Sequence, residues 1–183
     1  GAGAAVVAAG AYYAFGRGSA EVGFALSDAE LAQAFAFLKL NPAIDTHAHP
    51  GRTFVNGAMG LTWKLRLYQL TGGFEKRVAE DMIAGSMGAV CFSGVSDFSV
   101  LDSVDGGLKS VRAFEPGEAW SHYQAQIANL KALVSQGLVH PVLSPADMTG
   151  ARASGKPGCI FGVEGGDFVD DNPARIATAY ADG

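Results

Sequence analysis

Two histidines in "IDTHAHP" (44–50), His47 and His49, and one carboxylate in "IFGVEGGDF" (160–168), Glu164, are the residues whose types and surroundings could do metal chemistry. On an extended strand, residues i and i+2 point to the same side, so His47 and His49 would present two imidazoles in one direction. Imidazole nitrogen is a good donor for Zn²⁺, at about 2.0–2.1 Å. Glu164 closes an apolar run, and the two glycines after it let the backbone turn sharply and leave room beside the carboxylate. A buried carboxylate is costly unless it is paired or bound to metal. With two cations present it can bridge them, and water held between becomes hydroxide near neutral pH, which hydrolyses amides and esters. The bland alternatives are a chance His pair on a polar loop and a glutamate bonded to backbone or to an arginine. Asp45 is expected to face away from the pair and to be structural. His122, placed on the polar side of a helix, and His140, before a proline, are expected to be ordinary surface or packing residues.

The elements that must position these residues follow from pattern and punctuation. Residues 27–39 predict a helix, with Ser27 and Glu30 forming a capping box and Leu31, Phe35 and Leu38 on one face. Asn41-Pro42 stops it. A short buried strand follows at 43–47, then an irregular, glycine-rich stretch at 51–73 in which "LTWKLRLYQL" can form a short helix. Helix is expected at 74–87, strand at 88–95, and a long polar loop at 96–116. Residues 117–136 give the clearest amphipathic helix, with Trp120, Tyr123, Ile127, Leu130 and Val134 on one stripe and Gly137 as its left-handed stop. An extended piece at 139–143 leads to a helix start at 145. The last strand is 158–166, and the last helix, 172–183, has Asn172 as cap and Pro173 in its first turn. Strand–helix alternation of this kind predicts a parallel sheet. It also sets His47, His49 and Glu164 at the C-terminal ends of strands, where α/β proteins build their sites.

Composition narrows the classes. Apolar residues make up 49% of the 183, charged residues 17%, and the net charge is −5; mean hydropathy is +0.18. Such a chain folds rather than staying disordered, and without a Lys/Arg cluster it carries no footprint for nucleic acid. Cys91 and Cys159 each sit in an apolar run and are expected to be buried free thiols. The uncharged start, "GAGAAVVAAGAYYAFG", suggests the remnant of a signal peptide or anchor over residues 1–18, hence export or membrane association through this segment. An N-terminal helical segment (19–41) and an α/β region (42–183) complete the organisation.

Taken together, "IDTHAHPG" and "GKPGCIFGVEGGDF" resemble the N-terminal half of the membrane (renal) dipeptidases, metal-dependent hydrolases within the amidohydrolase group. The likeness runs from about residue 42 onward and is most specific at "GVEGG". It implies a (β/α)8 TIM-type barrel, here its first three or four β/α units, since a whole barrel needs about 250 residues. It implies two Zn²⁺ ions, with His47 as the first ligand and Glu164 as the bridging, catalytic carboxylate. His49 stands where these dipeptidases usually carry Asp, and Asp167 where a His commonly follows "GVEGG". The family's two further metal histidines and its catalytic aspartate come after the bridging glutamate. The expectation is therefore an N-terminal part of a zinc dipeptidase, incomplete and inactive alone, acting on small dipeptides and able to form a homo-oligomer. Competing readings are a TatD-like or other amidohydrolase-type enzyme and a non-catalytic membrane-associated module.

Overall fold

The computed structural model describes residues 23–49, Trp63, Arg66, Leu67, Leu70 and 73–183. The apolar start (1–18) lies outside them, as does most of 51–73, of which Trp63, Arg66, Leu67 and Leu70 are helical. None of the described helices is long and apolar enough to cross a membrane.

The first described helix, α1 (Asp28–Leu40), starts as its sequence predicts. Ser27 and Glu30 exchange bonds: Ser27 N–H donates to the Glu30 carboxylate at 2.8 Å, and Glu30 N–H donates to Ser27 Oγ at 3.3 Å. No α1 residue is buried. Residues 38–183 form a compact unit of their own. Its strands are β1 (Ala43–Ala48), β2 (Met87–Val95), β3 (Leu101–Val104), β4 (Gly107–Ser110), β5 (His140–Pro141) and β6 (Gly158–Glu164). Its helices are α2 (Phe74–Ala84), α3 (Glu118–Ser135), α4 (Asp147–Ser154) and α5 (Ala174–Ala181).

Four strands make a parallel sheet in the order β1-β2-β6-β5. Within this sheet β5 follows β2 in the chain, between α3 and α4, yet β2 pairs directly with β6, so on that side only β1 and β2 are neighbours both in the sheet and in chain order. The sheet is open, and the described residues show an α/β fold with four parallel strands rather than a barrel. The 139–143 piece contributes only the two residues of β5, on the far edge of β6.

One side of the sheet carries the core. Val90, Phe92 and Cys159 pack with Tyr123, Ile127, Leu130 and Leu133 of α3, and α2 adds Val78 and Met82. Phe92 and Leu130 are almost wholly buried, and each such side chain stabilises the fold by about 1.5–3 kcal/mol. The α3 stripe is therefore close to the one the sequence predicts. Gly137 ends α3 in the left-handed region (φ 69°), with Leu138 N–H bonded back to the Leu133 carbonyl at 3.1 Å.

Several expectations need correction. The 96–116 segment is not a plain loop: β3 and β4 form an antiparallel hairpin turned by Asp105 (φ 53°) and Gly106 (φ 75°), both left-handed as a tight two-residue turn requires. α2 stops at Ala84, because Gly85 and Ser86 (φ 55°) turn the chain so that Met87 can begin β2. His122 does not lie on a polar face. It is buried, stacked on Phe98 with ring centroids 5.1 Å apart, and its Nδ1 lies 3.4 Å from the Ser96 carbonyl. Cys159 is buried and free, and burial pushes its thiol pKa up, whereas Cys91 is only half-buried.

Candidate metal centre

The sheet register explains how residues so distant in sequence meet. Along β2, Val90 and Phe92 face the helices, so Cys91, Ser93 and Val95 face the other side. Glu164 pairs with Val95 and therefore shares that second side. On β1, Asp45 pairs with Val90 and Ala48 with Phe92, which puts one additional β1 residue between those pairings. Asp45 and Ala48 thus both lie on the helix side, while His47 and His49 flank Ala48 on the opposite side with Glu164. Regular alternation would have placed Asp45 beside His47. The irregularity turns it away, and its Oδ1 accepts the His47 backbone N–H at 2.9 Å. Asp45 is structural, as expected, but through a register shift that the sequence pattern does not show.

The three side chains converge on one point. Glu164 Oε2 lies 3.2 Å from His47 Nε2 and 3.0 Å from His49 Nε2. The imidazole rings stand nearly perpendicular, 88° apart, with centroids at 4.6 Å. One ligand atom from each residue falls within 4.8 Å of the others. The group is accessible: His47 is 54% exposed and Glu164 49%.

The second nitrogen of His49 fixes its chemistry. Nδ1 sits 3.1 Å from the Ser93 carbonyl oxygen. A carbonyl can only accept, so Nδ1 carries a proton and Nε2 is the nitrogen turned toward Glu164. Two acceptors 3.0 Å apart need positive charge between them, either a proton on Nε2 or a cation held by both. A backbone carbonyl holding the far nitrogen of a histidine is also the usual support for a metal-binding imidazole. The donor set, two imidazoles and a carboxylate at an open edge, fits Zn²⁺.

Small residues keep the approach clear. Gly165 (φ 80°) turns the chain immediately after Glu164, where a Cβ would come within 2.9 Å of Asp167 Oδ2. On β6 itself, a Cβ on Gly162 would meet Cys91 Sγ at 2.9 Å and Ser93 Oγ at 3.0 Å, both on the neighbouring β2. The predicted residues His47, His49 and Glu164 are thus brought together. Asp167 lies in the 3₁₀ turn Asp167–Val169 just beyond β6. His122 and His140 take no part in the group among the described residues. Sequence reasoning missed Ser93, whose role is carried by a backbone carbonyl and so leaves no mark in residue type. It also missed Gln126, whose amide holds the end of β2 at Val95.

No protein-family model matches the chain, and no curated protein matches it.

Proposed function

We propose that the chain is the N-terminal part of a zinc-dependent dipeptidase of (β/α)8 type, hydrolysing the peptide bond of small dipeptides. The observation that carries this reading is the contact of both Nε2 atoms with a single Glu164 oxygen, reinforced by the His49 Nδ1–Ser93 link. His47, His49 and Glu164 would hold the metal. When bound, Zn²⁺ supplies Lewis acidity toward the scissile carbonyl and lowers the pKa of a coordinated water. The protein's own part is orientation. Asp45 fixes the backbone at His47, Ser93 holds the His49 tautomer, and the Gly165-Gly166 turn leaves space for a substrate beside the carboxylate. Three donors are fewer than a two-zinc site uses; two further histidines and a proton-transferring aspartate would come from later strands of the complete hydrolase. The parallel pairing of β1 with β2, joined through α2, supports a β/α unit of the kind such a barrel repeats.

Zinc titration by calorimetry tests the site. The chain should bind Zn²⁺ weakly but saturably, and Glu164→Gln or His47→Ala should weaken binding at least about tenfold. Dipeptide hydrolysis by the chain alone should be negligible, and by the complete hydrolase it should be lost on chelation. Zinc binding that ignores all three residues would sink the proposal.

A further inference from the structure

A second feature lies at the opposite end of the sheet. Near the N-terminal ends of β2 and β6 and the residues before β1, an open cleft of about 760 Å³ is lined by residues from Leu38 to Pro157. That volume falls within the range of about 300–1,000 Å³ typical of small-molecule sites. Its wall is apolar, with Leu38, Ile83, Met87 and Met148 contributing. Three cations, Lys39, Arg152 and Lys156, also line it, and no carboxylate does among the described residues. In a chain of net charge −5 this is a local reversal of sign. Arg152 spends one N–H on the Lys39 carbonyl at 2.6 Å, which ties α4 to the residues just before β1.

We propose that this cleft binds a single-chain anionic amphiphile, a medium-length fatty carboxylate, with its head among the three cations and its tail along the apolar wall. The two halves of the lining argue for both parts of the ligand. An inorganic anion would leave the apolar wall wet, and a neutral hydrocarbon would leave three cations unmatched. The guanidinium of Arg152 offers planar, paired donors suited to a carboxylate, and the lysine stems extend the apolar surface. From Met87 to Val95, β2 spans roughly 26 Å. A ligand in the cleft therefore does not touch His47, His49 or Glu164, and the proposal stands apart from the metal centre.

The test is calorimetric titration of the chain with laurate below its micellar concentration, alongside dodecanol and inorganic phosphate. Laurate should bind saturably near one to one. Dodecanol and phosphate should each bind at least about tenfold more weakly, the worth of a charge-assisted hydrogen bond. Arg152→Glu with Lys156→Glu should reduce laurate affinity by a similar factor or more, while Glu164→Gln leaves it unchanged. Should the charge-reversed protein not fold by near-UV circular dichroism, Lys39→Met with Lys156→Met keeps the apolar stems and reads the same loss. Laurate that binds no better than dodecanol or phosphate, or that ignores these substitutions, would overturn the proposal.

Discussion

Gln126 pairs its side-chain amide with both backbone groups of Val95: Oε1 accepts the Val95 N–H at 3.0 Å, and Nε2 donates to the Val95 carbonyl at 2.8 Å. The contact imitates a neighbouring strand, and Val95 is the register partner of Glu164. Removing it as Gln126→Ala leaves Val95 unpaired and opens a gap under buried α3, at a cost of about 1–3 kcal/mol. Urea denaturation should show that loss, and zinc affinity should fall with it as the end of β2 loosens. Unchanged zinc affinity in the destabilised variant would show that the pairing supports the fold alone.

His49 offers the sharpest test of the metal centre. His49→Asp supplies an oxygen donor and should retain bound zinc, whereas His49→Ala leaves a coordination position open and should bind at least about tenfold more weakly. A merely structural histidine behaves in the reverse order, since a carboxylate put in its place beside Glu164 adds repulsion. Zinc content after dialysis, measured on both variants, separates the two cases. Equal retention in Ala and Asp would remove His49 from the ligand set.

Zinc should also stabilise the chain against heat. Binding to the folded state alone adds about 2.7 kcal/mol at a hundredfold excess over Kd. The rise in Tm should vanish with chelator and in Glu164→Gln. A Tm that responds to zinc equally in the variant would place the ion elsewhere.

The acid limb of stability should depend on Glu118. Its carboxylate takes two N–H groups from Arg112, at 2.7 and 2.6 Å, and a third from the Glu115 backbone at 2.9 Å. The Arg112 bonds, followed by the Glu115 N–H, hold its pKa far below the ordinary 4.5. A pKa depressed in the folded state gives stability that is present above 4.5 and is lost as pH falls toward the folded value. The difference in urea midpoint between the chain and Glu118→Gln should therefore stay level from about pH 7 to about pH 5 and shrink below that. A gap that persists at low pH would deny the pairing its role.

Two glycines give a paired test of packing. A Cβ on Gly158 would meet Val142 Cγ2 at 2.8 Å, Ala89 Cβ at 2.9 Å and the Gly88 carbonyl oxygen at 3.0 Å, whereas one on Gly166 meets nothing within 4 Å. Gly158→Ala should cost about 1–3 kcal/mol through overpacking. Gly166→Ala should stay within about 0.5 kcal/mol of the parent. Thermal melts of the two proteins make the comparison.

Most of the sheet was legible because its signals are local. Apolar runs flanked by glycine marked β2 and β6, and the α3 stripe named its own core face. The meeting of His47, His49 and Glu164 followed from one rule, that parallel strands align their C-terminal ends. What escaped the sequence depends on partners far along the chain. His122, Gln126 and Asn129 are polar yet buried; for the first two, the turn from β2 to the hairpin presents backbone groups at Val95 and Ser96 that need partners. The β3–β4 hairpin was hidden because its turn, Asp105-Gly106, lies between strands whose residues are almost all polar or exposed. Asp45 was read correctly for a reason the register then replaced.

The strand order has a consequence for how the protein is made. His47 and His49 leave the ribosome long before Glu164, and β2, which lies between them in the sheet, emerges in the interval. At about 5–20 residues per second, the wait for Glu164 is on the order of ten seconds. Through that interval β1 and β2 can pair while the imidazoles face solvent without their carboxylate. The three candidate donors come within reach of one another only when β6 zips onto β2, so the candidate centre is complete only once its sheet is in order.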